Sequence, residues 1–262
     1  MHKFILIVIT AILIASCQTS VDLSLNQIDR QFKLDSLHVE RKVKCGVNDS
    51  LLISTVDYIF PVFKDTALEW VNAFIINKLK SKSYPDSIST KSLKEIANLY
   101  LNDFENFSKD GIVYSGWYLL ASCSAAYLND SILKISFGME EFSGGAHPNH
   151  HSENYLWDIK NRKQLTLIDF LNSPQDTIAL RKVALKELRE MKNLKPNQTL
   201  DDDANMFIDD QSFYLSKNFD IDSANVSFLY NEYEIQAYAF GYIEIIIPKA
   251  KLRKQLKSKF LN

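Results

Sequence analysis

Glycine is scarce in this chain, with seven residues among 262, and no segment has the spaced glycines of a phosphate-cradling loop. Cysteine is scarcer still. Three are present and no two form a Cys-x-x-Cys pair, which sets aside thioredoxin-like redox chemistry and paired-cysteine zinc sites. Neither charge sign dominates: 30 Lys and Arg face 32 Asp and Glu, so the basic footprint of a nucleic-acid-binding protein is missing. No nucleophile elbow, internal repeat or low-complexity linker occurs. The strongest apolar run, Phe4 to Ala15, is 12 residues long and interrupted by Thr10, short of the ~20 needed to span a bilayer as a helix.

That run has a different use. It follows the basic start His2-Lys3 and leads into Leu13-Ile14-Ala15-Ser16-Cys17. A short apolar segment with small residues before a cysteine has the form of a bacterial lipoprotein signal. Residues 1–16 are then a cleaved leader, Cys17 carries the acyl chains, and 17–36 form a polar tether. The bland alternative is an ordinary signal peptide with an incidental cysteine. Two or more acyl chains anchor firmly where one does not, and Gln18 rather than Asp after the cysteine favours the outer membrane of the cell envelope. The mature chain has 262 − 16 = 246 residues and loses Lys3, for a balance of 29 − 32 = −3. That length suits one large domain or two small ones. Cys45 and Cys123 remain, both in strand-like runs; an oxidising compartment allows a disulfide between them, and two buried free thiols are the other outcome.

The grouping of strand pairs and helices predicts an α+β fold of antiparallel sheets with packed helices. Strands are expected at 37–45, 51–60, 117–128, 132–139, 154–159, 226–230 and 237–247. Thr66 to Glu69 has capping-box spacing ahead of Leu68, Val71, Phe74, Ile75 and Leu79 on one helical face. A second helix from near Thr90 carries Leu93, Ile96, Ala97, Tyr100, Leu101, Phe104 and Phe107. Ser173-Pro174 opens a third, with Leu180, Val183, Ala184, Leu188 and Met191 buried. A short acidic helix is expected within 201–210, and a final basic helix carries Leu252, Leu256 and Phe260.

Among the seven glycines, Gly144 and Gly145 stand together in Phe142-Ser143-Gly144-Gly145-Ala146-His147-Pro148-Asn149. Adjacent glycines before a polar turn permit positive φ and close approach of two segments. With Trp157-Asp158-Ile159, Leu165 to Phe170 and Phe228 to Gly241, this stretch resembles an extracytoplasmic domain family of unknown function. That family is shared by the lysozyme-sensing anti-sigma factor RsiV, in its C-terminal lobe, and the peptidoglycan deacetylase PdaC, in its N-terminal lobe. The resemblance implies an α+β fold in two lobes, 37–141 similar to the deacetylase's and 142–262 to the anti-sigma factor's, and a binding role toward a lysozyme-like protein or peptidoglycan. On the matching motifs it singles out Gly144, Gly145, His147, Asn149 and Tyr233 as binding residues. Neither the deacetylase's catalytic domain nor the sigma-binding segment is expected among these 262 residues, so only the binding role is expected to carry over.

Four further patterns carry chemistry. His147, His150 and His151 cluster beside Glu140, Glu141 and Glu153, and His with carboxylate suits zinc. Pro148 forbids a helical His-Glu-x-x-His arrangement, and a turn histidine with two exposed neighbours is the alternative. Asp201, Asp202, Asp203, Asp209, Asp210, Asp220 and Asp222 either solvate loops and helix starts or offer a landing surface to a basic partner. Lys249, Lys251, Arg253, Lys254, Lys257 and Lys259 either rest on anionic headgroups or form a solvated face. Tyr214, Tyr230, Tyr233, Tyr238, Tyr242 and Trp157 suit both strands and sugar stacking.

The expected function is a non-catalytic, lipid-anchored envelope protein that binds a cell-wall-related ligand, with no cofactor and no nucleic-acid partner. A metal-dependent hydrolase or deacetylase centred on His147, and a structural partner of another envelope protein, are the alternatives.

Overall fold

The computed structural model describes residues 32–45, 50–83, 91–110 and 113–261. Cys17 and the leader lie outside them. The described residues open with a long hairpin, β1 (Phe32–Cys45) and β2 (Ser50–Phe63), paired along their whole length. β1 therefore begins at Phe32, inside the stretch expected as tether. Lys33, Asp35 and Ser36 hide it, because on an edge strand polar residues can face solvent without loss of pairing.

A single 3-10 turn, Thr66–Leu68, follows, capped by Asp65, whose Oδ1 accepts from the Ala67 N–H at 2.8 Å. It feeds α1 (Glu69–Ser83), and α2 (Leu93–Asp110) comes next. The cap of α2 is reciprocal: the Ser92 N–H donates to Glu95 Oε2 at 2.6 Å, and the Glu95 N–H donates to Ser92 Oγ at 3.3 Å. Then come β3 (Tyr118–Asn129), β4 (Ile132–Phe142), β5 (Asn149–Asp158) and β6 (Lys163–Leu165). The six strands lie in chain order and pair antiparallel, except that β2 and β3 run parallel from Thr55 to Ile59 against Tyr118 to Ser122. Parallel neighbours need a crossover, and α1 with α2 supplies it.

The rest of the chain contains α3 (Leu167–Phe170), α4 (Asp176–Met191) and a three-stranded antiparallel sheet, β7 (Phe219–Ile221), β8 (Asn225–Tyr230) and β9 (Ile243–Pro248). Among the described residues the fold is α+β, two mostly antiparallel sheets with four helices, as the sequence pattern implies. None of those helices is long and apolar enough to cross a membrane.

Two cores form. In the first, Val71, Ile75 and Leu79 of α1 and Leu93, Ala97 and Leu101 of α2 cover Val56, Tyr58, Leu119 and Ile135 of the large sheet. In the second, Leu180, Ala184 and Leu188 of α4 pack with Phe228, Tyr230, Ile245 and Ile247. Adjacent residues of β4 point to opposite faces, so Ile132 enters the second core while Leu133 enters the first. The large sheet is thus a shared wall.

Three expected elements differ. The acidic segment is a 3-10 turn, Leu200–Asp202, followed by irregular chain whose Asp side chains hold successive turns. The strand expected over 237–247 begins only at Ile243. Before it a 3-10 turn, Tyr238–Phe240, ends at Gly241 with φ 72°, and the buried Gln236 amide donates to the carbonyls of Phe240 and Gly241 at 3.1 Å each. The basic tail is two 3-10 turns, Lys249–Leu252 and Ser258–Phe260, not one helix. Its backbone is engaged elsewhere: the Asn172 N–H donates to the Gln255 carbonyl at 2.8 Å, and the Lys257 N–H to the Phe170 carbonyl at 2.9 Å.

Candidate functional site

Helices cover one face of the large sheet. The other face is open and leaves Ile53, Ile59 and Leu120 exposed. Where residues 232–242 of the second sheet's connection lean over it, a cleft of 760 Å³ forms. Ile59, Leu120, Ser122 and Gly138 make its floor, and Asp57, Glu140, His150, Glu232 and Tyr242 line its sides. Alternation along the strands selects these groups, because Leu120, Glu140 and His150 are direct cross-strand neighbours on the same face.

The polar groups are paired in a chain. His150 Nδ1 lies 3.1 Å from Glu232 Oε1, and its Nε2 lies 3.9 Å from Glu140 Oε2. The Tyr118 hydroxyl donates to Glu140 Oε1 at 2.7 Å, and this bond is the main reason its phenol titrates above the ordinary tyrosine range. His38 meets Asp57 at 2.5 Å.

One rim is the Gly-Gly turn. Gly144 and Gly145 both have positive φ, 95° and 103°, which a β-carbon would strain. The turn carries His147 onto the ring of Tyr238, stacked at 3.6 Å between centroids and 16° between planes. His147 Nδ1 sits 2.9 Å from the Pro148 carbonyl oxygen, and the Tyr233 hydroxyl lies 3.4 Å from His147 Nε2. The Tyr238 hydroxyl also donates to the Pro148 carbonyl, at 2.7 Å. Burial, then Glu232, Tyr233 and Glu140, raise the Tyr238 phenol. Tyr233 itself has φ 65°, a left-handed backbone that a bulky residue adopts at a cost. Asn231 anchors that turn: its Oδ1 accepts from the Ser152 N–H at 2.7 Å, and its Nδ2 donates to the Ser152 carbonyl at 3.1 Å and to Glu234 Oε1 at 3.1 Å. Asn218 does the same one step along β5, accepting from the Asn154 N–H at 2.9 Å and donating to the Ser152 carbonyl at 2.7 Å.

The structure therefore brings His147 and Tyr233 together and places Gly144 and Gly145 in the turn that holds them. Asn149 is exposed at the start of β5 and, by alternation, turns to the side opposite His150, away from the cleft. The three histidines do not converge. His151 faces α1, 2.9 Å from both Lys82 Nζ and Glu153 Oε1, while His150 faces the cleft and both ring nitrogens of His147 have protein neighbours. No group of three or more His, Cys, Asp or Glu among the described residues could hold a metal ion. On the helix side, burial works to raise the Glu153 carboxyl, but hydrogen bonds from His151, Lys82 and Tyr155 outweigh it and hold it far below the usual carboxylate range.

The disulfide fails on register. Ser122 pairs with Ile59, and Ile59 pairs with Ser36. Cys45 lies 45 − 36 = 9 residues further along β1, roughly 30 Å at the rise of a strand. Bridged cysteines need α-carbons within about 7 Å. Cys123 is a free buried thiol, pushed up to about 12 by burial.

The acidic stretch is engaged internally. Asp202 accepts from the Thr199 N–H at 2.7 Å and Asp201 from the Thr199 hydroxyl at 2.6 Å. Asp203 pairs with Lys192 at 3.4 Å, Asp210 with Arg189 at 3.2 Å, and Asp220 with Lys134. Asp209 and Asp222 accept from backbone N–H groups of their own turns. The tail cations are partly consumed too: Lys249 is buried, Lys251 reaches Glu187 at 2.5 Å, and Lys257 donates to the Asp169 carbonyl at 2.7 Å. Asp57, Glu232 and Tyr118 were not singled out by sequence. Glu140 and His150 had a signal as members of the histidine-carboxylate cluster, and Tyr238 and Tyr242 as members of an aromatic-rich segment.

Residues 169–250 match a family model described as "Protein of unknown function (DUF3298)". The fold is similar to the crystal structure of a DUF3298 family member from Bacteroides fragilis, with a TM-score of 0.64 and 21% identity over 87% of this chain and 94% of that one. It is also similar to a DUF3298 family protein from Pseudomonas aeruginosa, with a TM-score of 0.60 and 20% identity over 89% of this chain and 98% of that one. No curated protein matches the sequence.

Proposed function

The chain belongs to the DUF3298 family through residues 169–250, and from that premise we propose that it is a lipid-anchored envelope protein that binds a peptidoglycan strand in the open cleft. One observation carries this: an elongated sheet face with an apolar floor is bordered by Asp57, Glu140 and Glu232 and by Tyr242, which is 65% exposed. Sugars present apolar ring faces that rest on aromatic and aliphatic side chains, and hydroxyls that donate to carboxylates. Peptidoglycan is favoured over a basic protein such as lysozyme because three carboxylates of the acidic stretch that would attract the latter, Asp203, Asp210 and Asp220, are already paired with Lys192, Arg189 and Lys134. Anchoring through Cys17 would hold the cleft within reach of the wall.

The test is co-sedimentation of residues 18–262 with purified peptidoglycan. We expect saturable binding that the Tyr242→Ala and Glu232→Gln variants weaken by about tenfold or more. Absence of co-sedimentation, or variants that bind as well as the parent, overturns the proposal. A parallel titration with lysozyme that saturates and ignores both substitutions would transfer the function to a protein partner elsewhere on the surface.

A further inference from the structure

A second cavity lies where β6 and α3 face the start of α4 and residues 213–219. It measures 580 Å³, within the ~300–1,000 Å³ usual for small-molecule sites. Its walls are apolar: Leu165, Leu167, Ile178, Phe213, Leu215 and Phe219 among them. Ile178 is 62% exposed and Ile168 48%, apolar surface that the fold leaves in water at the groove.

The polar groups around it are mostly committed. The Thr166 hydroxyl donates to Asp169 at 2.9 Å, and the Thr177 hydroxyl donates to the Pro174 carbonyl at 2.7 Å. The Arg181 guanidinium is spent on the carbonyls of Phe213, Asp210 and Gln211, at 2.6, 2.7 and 2.8 Å. Lys217 and Gln164 are exposed, and neither side chain has a hydrogen bond or ion pair among the described residues. Among the described residues the groove therefore offers a long apolar wall, the Lys217 ammonium, the Arg181 charge that its carbonyl partners leave in place, and the Gln164 amide.

We infer that this groove binds a single-chain anionic amphiphile, a free fatty acid in chemical class, with its chain along Leu167, Ile178 and Phe219 and its carboxylate on Lys217. Charge complementarity fixes the occupant: a cationic or neutral amphiphile would use the same wall and leave the Lys217 ammonium unmatched. The proposal is independent of peptidoglycan binding, because the two cavities share no lining residue.

The test uses the full chain in zwitterionic lipid nanodiscs and a diazirine-bearing dodecanoate, with photolabelled peptides mapped by mass spectrometry. Labelling is expected on peptides spanning 164–168 and 213–219, competed by laurate and not by dodecyltrimethylammonium. Lys217→Glu should cut laurate competition roughly tenfold. Ile178→Glu, at an exposed position the fold tolerates, should abolish labelling while the melting temperature stays unchanged. Labelling spread evenly over the chain, equal competition by the cationic amphiphile, or labelling that survives Ile178→Glu each overturns the assignment.

Discussion

A β-carbon at Gly116 would stand 1.7 Å from the carbonyl oxygen of Ile53, so the chain can pass β2 there only without a side chain. The approach is fixed from both sides, since the Trp117 N–H donates to the buried Ser54 hydroxyl at 2.6 Å and the Thr55 N–H to the Trp117 carbonyl at 3.0 Å. Gly116→Ala should therefore destabilise the protein by ~1–3 kcal/mol in denaturant unfolding. Sequence directs attention to Gly144 and Gly145 because they are adjacent; nothing local marks Gly116, whose constraint comes from Ile53, 116 − 53 = 63 residues away. Tyr233 poses the opposite case. Relieving its left-handed backbone with Tyr233→Gly should leave stability unchanged or raise it by up to ~1 kcal/mol, while the contact with His147 disappears. Equilibrium unfolding and peptidoglycan co-sedimentation on the same variant separate the two effects.

Between elements, the decisive contacts pair residues far apart in sequence. Lys82 in the last turn of α1 reaches Glu153 of β5 at 2.5 Å, and Tyr155 and His151 donate to or adjoin the same carboxylate. A carboxyl held low in the folded state stabilises above its unfolded pKa, about 4.3, and that contribution is lost as pH falls below it. Stability should fall on acidification below about pH 4.5, and Glu153→Gln should flatten that acid limb in urea titrations at stepped pH. Periodicity revealed most of these elements: the stripes of α1, α2 and α4 and the alternation of β2 to β4 are visible without coordinates. The site was legible only in part, because Glu140 and Glu232 are 232 − 140 = 92 residues apart and meet only through His150. The tail was misread for a related reason. Leu252 and Leu256 have helical spacing, but the backbone partners of Gln255 and Lys257 beside them come from Asn172 and Phe170, which local pattern cannot supply.

Across the whole molecule, one sheet serves both cores, and Asn218 and Asn231 fasten the second part of the chain to the edge of β5. Damage on one side should be felt on the other. All three tryptophans, Trp70, Trp117 and Trp157, pack against the first core, whereas Leu188 is fully buried in the second. Leu188→Ala should cost ~2–5 kcal/mol, and the tryptophan fluorescence midpoint should move together with that of far-UV circular dichroism. A fluorescence transition left in place would show two independently unfolding units. Asn231→Ala should, in addition, speed hydrogen exchange at the Ser152 amide, whose partner it removes.

The parallel pairing of β2 with β3 also sets a timetable. Thr55 leaves the ribosome 118 − 55 = 63 residues before Tyr118, its neighbour in the sheet. At about 5–20 residues per second, the inner edge of the first hairpin waits roughly 3–13 s for its cover. Throughout that interval a fourteen-residue strand offers its open backbone to any passing chain. The newborn protein is thus most vulnerable to misassembly early, and a binding chaperone would have the greatest effect before residue 118 emerges.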